Sequence, residues 1–185
     1  MQHVVCGLIE VKAAEAGADM SFSGYGSVFG IKDDYGDVVV KGAFAESIAA
    51  AKAGGSWPVM LWQHGFEREG VTPIGIWTEL REDDHGLYVE GKLASTAKGL
   101  EIYDLLKMKP RPACSGLSIG YRPIAFKSGN KVGEPRRTIT KVDLMEVSLT
   151  PFPANKEARL QEVKSGEAAA IAKIIQRNIA ILRGN

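Results

Sequence analysis

Ser118 stands between two glycines in the run Ala113-Cys114-Ser115-Gly116-Leu117-Ser118-Ile119-Gly120-Tyr121-Arg122. Read as a strand, the run turns alternate side chains to opposite faces. Ala113, Ser115, Leu117, Ile119 and Tyr121 make an apolar face suited to a core, and Cys114, Gly116, Ser118, Gly120 and Arg122 make the other. Glycine weakens a strand interior, so a pair flanking one hydroxyl predicts that another chain approaches closely there. A nucleophile that must reach a peptide backbone needs such a setting. An ordinary Gly-rich strand with a solvated serine would read the same way.

A serine hydroxyl is a weak nucleophile until a base takes its proton, and the usual base is a neutral histidine. The chain has three histidines. His3 lies in the first few residues, where order is rare. His85 sits in Asp83-Asp84-His85-Gly86, which reads as a solvated hairpin tip. His64 ends the apolar run of residues 57–63 and precedes Gly65, a position at the end of a sheet that can face a cleft. His64 is the candidate base.

A third group should hold the imidazole in one tautomer and stabilise its cation. In residues 142–150, Leu144, Glu146, Ser148 and Thr150 share one face, opposite Asp143, Met145, Val147 and Leu149. A carboxylate inside so apolar a strand is costly to bury unless it is paired. Glu146 either pairs with His64 or faces solvent on a half-exposed strand. Two rivals for the nucleophile rank behind Ser118. Ser115 shares its face with the apolar Leu117, Ile119 and Tyr121. Cys114 lies on the Ser118 face, and a cysteine–histidine pair would also hydrolyse peptides. Arg122 could polarise an oxyanion, although an outward salt bridge suits it better.

The elements that must position these groups can be read in outline. Residues 20–29 alternate weakly and carry Gly24 and Gly26, a bent strand, and residues 38–40 are a short buried one. Residues 43–52 are helix formers stopped by Gly54-Gly55. Residues 57–63 are a strand that delivers His64. Residues 73–80 and 86–93 form a hairpin across a polar turn. Ser95 or Thr96 caps a helix over 97–108 with an apolar stripe of Leu100, Tyr103, Leu105 and Leu106, ended by Pro110. Residues 126–137 read as a mobile polar loop, and residues 138–150 as the last long strand. Residues 4–12 would be a first strand.

The chain has 185 residues, 45% hydrophobic and 24% charged, with a net charge of +1. That is an ordinary globular composition, long enough for a substantial core. Nothing in the charge points to nucleic acid or an anionic membrane. No apolar run approaches the roughly 20 residues of a membrane helix. The first residues lack the basic and apolar parts of a secretory signal. Cys6 and Cys114 read as reduced thiols of a cytoplasmic protein, with no metal-ligand spacing. Beyond the polar hinge Lys164-Ser165-Gly166-Glu167, the residues Ile171, Ile174, Ile175, Ile179 and Leu182 fall on one helical face. That face must pack on its own domain, on a partner or on a second copy.

In their order and spacing the motifs resemble the prohead (capsid maturation) serine proteases of tailed phages, relatives of the herpesvirus assemblins. The resemblance runs over about residues 20–160. It begins with Gly24-Tyr25-Gly26-Ser27-Val28-Phe29, Gly36-Asp37-Val38-Val39 and Gly42-Ala43-Phe44. It continues through Gln63-His64, Pro73-Ile74-Gly75 and Asp84-His85-Gly86-Leu87-Tyr88-Val89. Gly116-Leu117-Ser118-Ile119-Gly120-Tyr121-Arg122 and Glu146-Val147-Ser148-Leu149-Thr150-Pro151-Phe152-Pro153-Ala154-Asn155 close it.

Six or seven strands around one core suggest a small barrel or a strongly bent sheet with helices outside. The resemblance implies the first of these, an α+β, mainly β fold: a small, mostly antiparallel barrel of six to seven strands surrounded by helices. It implies a serine endopeptidase with Ser118 as nucleophile, His64 as base and Glu146 as the third member, where the herpesvirus relatives use a second histidine. Neither a metal nor a cofactor is expected. Residues 1–160 would be the protease domain, and residues 161–185 a hinge and amphipathic helix removed by self-cleavage. The substrate would be the major capsid protein or a scaffold protein, cut inside the prohead in the host bacterial cytoplasm. A homodimer is expected, and neither nucleic acid nor a membrane as partner. The alternative is a non-catalytic capsid assembly or scaffold-binding module on the same fold.

Overall fold

The computed structural model describes residues 19–65 and 71–164, so the expected first strand and the C-terminal helix lie outside the described residues. In chain order the elements are β1 (Ser21–Val28), β2 (Asp37–Val39), α1 (Ala45–Gly54), β3 (Val59–Trp62), a one-turn 3-10 helix (Gln63–Gly65), β4 (Gly75–Glu82), β5 (Gly86–Leu93), α2 (Ala97–Lys107), β6 (Gly116–Ser128), β7 (Arg137–Thr150) and β8 (Leu160–Val163). Met20–Lys164 form one compact unit that includes β8.

The strands form one sheet in the order β2-β7-β3-β4-β5-β1-β8, and β6 adds to β7. β7 organises it. Along one edge it pairs in parallel first with β2 and then with β3, and along the other it pairs antiparallel with the whole of β6. The mostly antiparallel barrel expected from the sequence is therefore corrected, among the described residues, to an open, mixed sheet of eight strands with two α-helices. The parallel pairings arise because β2 and β3 each reach β7 by long connections, not by tight hairpins. No continuous ladder closes the sheet. The gap between β1 and β6 is spanned by the segment leading into β8, through Tyr25 N–H to the Arg159 carbonyl (3.0 Å), Leu117 N–H to Ala158 (3.0 Å) and Leu160 N–H to Ser115 (2.8 Å).

Local chemistry explains the helices and the hairpin. α2 begins where the Thr96 hydroxyl accepts the Gly99 N–H at 3.1 Å, and it buries Gly99, Ile102, Tyr103 and Leu106, one stripe of the helix. Leu100 and Leu105, expected in that stripe, are only half-buried. α1 ends at Gly55 in the left-handed conformation (φ 64°). It lies on β7, where Leu144 N–H donates to the Ser47 hydroxyl and Val142 N–H to the Ala43 carbonyl. The β4–β5 turn is built by Asp83, whose Oδ1 accepts the N–H groups of His85 and Gly86. The core joins Phe22, Leu80, Leu87, Val89, Ile102, Leu106, Leu117 and Leu149, all fully buried or nearly so. Each such side chain contributes about 1.5–3 kcal/mol of transfer free energy.

The expected loop over residues 126–137 is shorter than read from the sequence: residues 129–136 lie outside the strands, and only its two ends join the sheet. β6 runs on to Ser128 and β7 starts at Arg137, with Lys127 opposite Thr138 and Ser128 opposite Arg137.

Candidate active site

The sequence of β3 ends at Trp62, and the backbone then makes an unusual turn. Gln63, His64 and Gly65 all have positive φ, at 49°, 60° and 75°. Glycine adopts this region freely, whereas Gln and His do so at a cost of about 1 kcal/mol each. Two consecutive non-glycine residues stay there only if their surroundings hold them. The holding groups come from β7. The His64 N–H donates to the Ser148 hydroxyl at 3.1 Å, and the His64 ring Nδ1 lies 2.6 Å from Glu146 Oε1. The alternatives left by the sequence for Glu146 are thus decided in favour of pairing with His64.

An ionised carboxylate only accepts, so in this pair the His64 Nδ1 is the donor. The Glu146 side chain is 12% exposed and the His64 ring 32%, so the pair is screened on the acid's side and open on the imidazole's. The second oxygen of Glu146 is also satisfied: the Ser148 hydroxyl donates to Oε2 at 2.5 Å.

β6 brings Ser118 to the same place. In the β6–β7 ladder Ser118 faces Ser148 and Gly120 faces Glu146. Directly opposite residues put their side chains on one face of the sheet, so Ser118 shares a face with Ser148 and Glu146. Ser118 is buried, at 7% exposure. Leu117 and Leu149 are fully buried and back the opposite face. Just past the site Gly120 faces Glu146 and Tyr121 faces Leu144, leaving Met145 as a bulge residue, a feature that re-aims side chains.

The two glycines around Ser118 have a different reason from the one predicted. A Cβ on Gly120 would lie 2.3 Å from Glu146 Oε1 and 2.8 Å from its Cγ. A Cβ on Gly116 would lie 2.4 Å from the Thr150 carbonyl oxygen and 2.7 Å from Pro153 Cδ. The space is filled by this chain's own residues, and at Gly120 by the acid itself.

The other candidates from the sequence are placed differently. Cys114 is 3% exposed and precedes β6, and burial pushes its thiol up to about 11, leaving almost no thiolate near neutrality. Ser115 is half-buried outside β6, and its carbonyl holds the Leu160 N–H. Arg122 is exposed opposite Asp143. His85 is the exposed hairpin tip the sequence suggests, its ring edge-on to Tyr25 at 4.5 Å. Sequence reasoning missed the role of Ser148 and the left-handed turn. Two signals were available, the i, i+2 spacing that places Ser148 on the Glu146 face and the glycine after His64.

A family model described as caudovirus prohead serine protease matches residues 8–173. The chain belongs to that family. Among curated relatives it is 31% identical over 157 residues to the "Prohead protease" of Enterobacteria phage HK97, an alignment covering 84% of this chain. The chain spans 65% of that relative's length. Among solved structures it is similar, at 14% identity and a TM-score of 0.42, to KSHV protease in complex with a hexapeptide phosphonate inhibitor, covering 76% of this chain and 63% of that one. That last likeness is too distant to bear on the site. Among the described residues no helix is long and apolar enough to cross a membrane.

Proposed function

We propose that the chain is a serine endopeptidase of phage head maturation, with Ser118 as nucleophile, His64 as general base and Glu146 as the group that orients His64. The observation that carries this reading is the 2.6 Å contact between His64 Nδ1 and Glu146 Oε1, made on the sheet face that bears Ser118. Family membership over most of the chain supports it.

In this reading the Ser118 Oγ attacks the scissile carbonyl carbon while its proton passes to His64 Nε2. Glu146 stabilises the imidazolium and keeps Nδ1 as the donor. Collapse of the tetrahedral intermediate breaks the C–N bond, and the leaving amine takes the proton from Nε2. Water then attacks the acyl-enzyme, again giving its proton to Nε2, and the new carboxyl product leaves as Ser118 recovers its hydrogen. No metal or cofactor takes part.

The substrate is the major capsid protein or a scaffold protein, cut inside the prohead in the host bacterium. The enzyme also cuts itself at the hinge of residues 164–166, releasing the segment beyond the protease domain. It works as a homodimer, without nucleic acid or membrane as partner.

Co-expression with the cognate capsid or scaffold protein tests this, with intact masses read for wild type, Ser118→Ala and Cys114→Ala. Cleavage lost only in Ser118→Ala is expected. Cleavage lost only in Cys114→Ala would transfer the nucleophile to the thiol, and intact substrate with wild type would favour the non-catalytic assembly module.

A further inference from the structure

Ser148 is fully buried, yet its hydroxyl serves two masters at once. It donates to Glu146 Oε2 at 2.5 Å and accepts the His64 backbone N–H at 3.1 Å. A hydroxyl has one proton to give, so with that proton on Glu146 and a lone pair on His64, Ser148 is not available as a nucleophile. It is also the residue directly across the ladder from Ser118. One side chain thus touches the acid and the backbone of the base, and it occupies the strand position facing the nucleophile.

From this convergence we infer that Ser148 is a positioning residue for the peptidase, fixing the Glu146 carboxylate and the left-handed His64 turn as one unit. The inference rests on the reading of Ser118, His64 and Glu146 given above. The physical argument has two parts. Glu146 has two oxygens, and only one can meet the imidazole. The hydroxyl on the other stops the carboxylate from rotating about its last bond, which would swing Oε1 away from Nδ1. Meanwhile Gln63 and His64 sit at φ 49° and 60°, a region their side chains disfavour. The Ser148 acceptor is the tether that holds the His64 amide there. Without it the turn relaxes toward negative φ and carries the ring off Glu146. A misplacement of about 1 Å costs on the order of a hundredfold in rate.

The test needs no knowledge of the natural substrate. A fluorophosphonate probe reacts with an activated serine: the serine oxygen bonds to phosphorus, fluoride departs, and the serine proton goes to the base. In the full-length chain, labelling of Ser118 is followed by intact mass to give kinact and KI for wild type, Ser148→Ala, Ser148→Thr and Ser118→Ala. The His64 Nδ1–H proton is followed in parallel by NMR as a downfield resonance. For Ser148→Ala, kinact is expected to fall about a hundredfold, with KI unchanged and the downfield resonance lost. Ser148→Thr, which keeps the hydroxyl, should restore both. A purely packing role would not move the resonance or spare KI in this pattern.

Unchanged kinact and an unchanged resonance in Ser148→Ala would overturn the inference while leaving Ser118 as nucleophile. Absence of wild-type labelling at Ser118 would instead sink the peptidase reading, and the resonance would still decide whether Ser148 holds the pair. Circular dichroism melting checks that Ser148→Ala folds. Should it not fold, Ser148→Cys, close in volume but a weak donor, takes its place with the same expected results.

Discussion

Two carboxylates are buried among the described residues, and they have opposite partners. Asp37, at 1% exposure, starts β2 and is gripped by two guanidiniums, Arg136 through Nε (3.1 Å) and Nη2 (3.0 Å) and Arg137 through Nε (3.0 Å). Glu146, at 9%, is held by an imidazole and a hydroxyl. Arginine stays charged at any accessible pH, so the Asp37 cluster is fully committed and does nothing but pin β2 to the β6–β7 hairpin. An imidazole can gain or release a proton near neutral pH, so the Glu146 cluster retains a degree of freedom that chemistry can use. Burial of an acid tells little about its role; the acidity of what it faces tells most.

That contrast can be broken deliberately. Glu146→Gln keeps shape and removes charge, and on the proposed reading we expect peptidase activity to fall by roughly a thousandfold or more, as for acids that orient a catalytic histidine. Its melting temperature should stay within a few degrees of wild type. Gly120→Ala attacks the same site sterically, because the new Cβ lands 2.3 Å from Glu146 Oε1. Activity should drop about a hundredfold, with a stability loss of about 1–3 kcal/mol seen in urea unfolding. Asp37→Asn should reverse the pattern. It should cost about 2 kcal/mol, less than a wholly buried pair because Arg136 is half in water, while activity at low temperature stays within about threefold of wild type.

A pH series sharpens the comparison further. Burial raises the Asp37 carboxyl, but the hydrogen bonds and charges of Arg137 and Arg136 outweigh it, and the net direction is down. Asp83 behaves alike: burial pushes it up, the N–H of His85, the Tyr25 hydroxyl, the N–H of Gly86 and Arg81 pull it down, and it ends at about 2. A carboxyl lowered on folding stabilises the fold above its unfolded value, about 3.9, and loses that contribution as pH falls through the folded value. The melting temperature should therefore fall by about 2–4 °C or more between about pH 4 and pH 2, and fall less in Asp37→Asn. The smallest effect belongs to Cys114. With its thiol up at about 11, it should resist iodoacetamide at pH 8 in the folded protein, and Cys114→Ser should leave activity within about twofold.

Local signals survived the passage from sequence to structure, and distant ones did not. The Thr96 cap, the Asp83 turn, the Gly55 stop and the placing of His64 just after an apolar strand each depend on a few neighbouring residues. β8 was missed because Leu160–Val163 is short and half polar, and its partner β1 lies at the other end of the chain. The strand over residues 126–128 looked like a loop because its polar residues face Thr138 and Arg137, and the Asp37 cluster that anchors that hairpin cannot be seen locally. The glycines beside Ser118 marked a close approach, but by Glu146, Thr150 and Pro153 and not by another chain, because a strand pattern carries no record of which atoms come close. The φ of 49° and 60° at Gln63 and His64 had only the following glycine, Gly65, as a local signal.

The arrangement around β7 also has a consequence in time. His64 and Glu146 are separated by 82 positions in the chain. They meet only when β3 lies down in parallel beside β7, a long-range pairing of the kind that closes late and slowly in folding. A ribosome must have released residue 150 before any of this can begin. On the proposed reading the chain thus spends its whole synthesis, and much of its folding, without its paired His64 and Glu146, and the delay is written into its strand order.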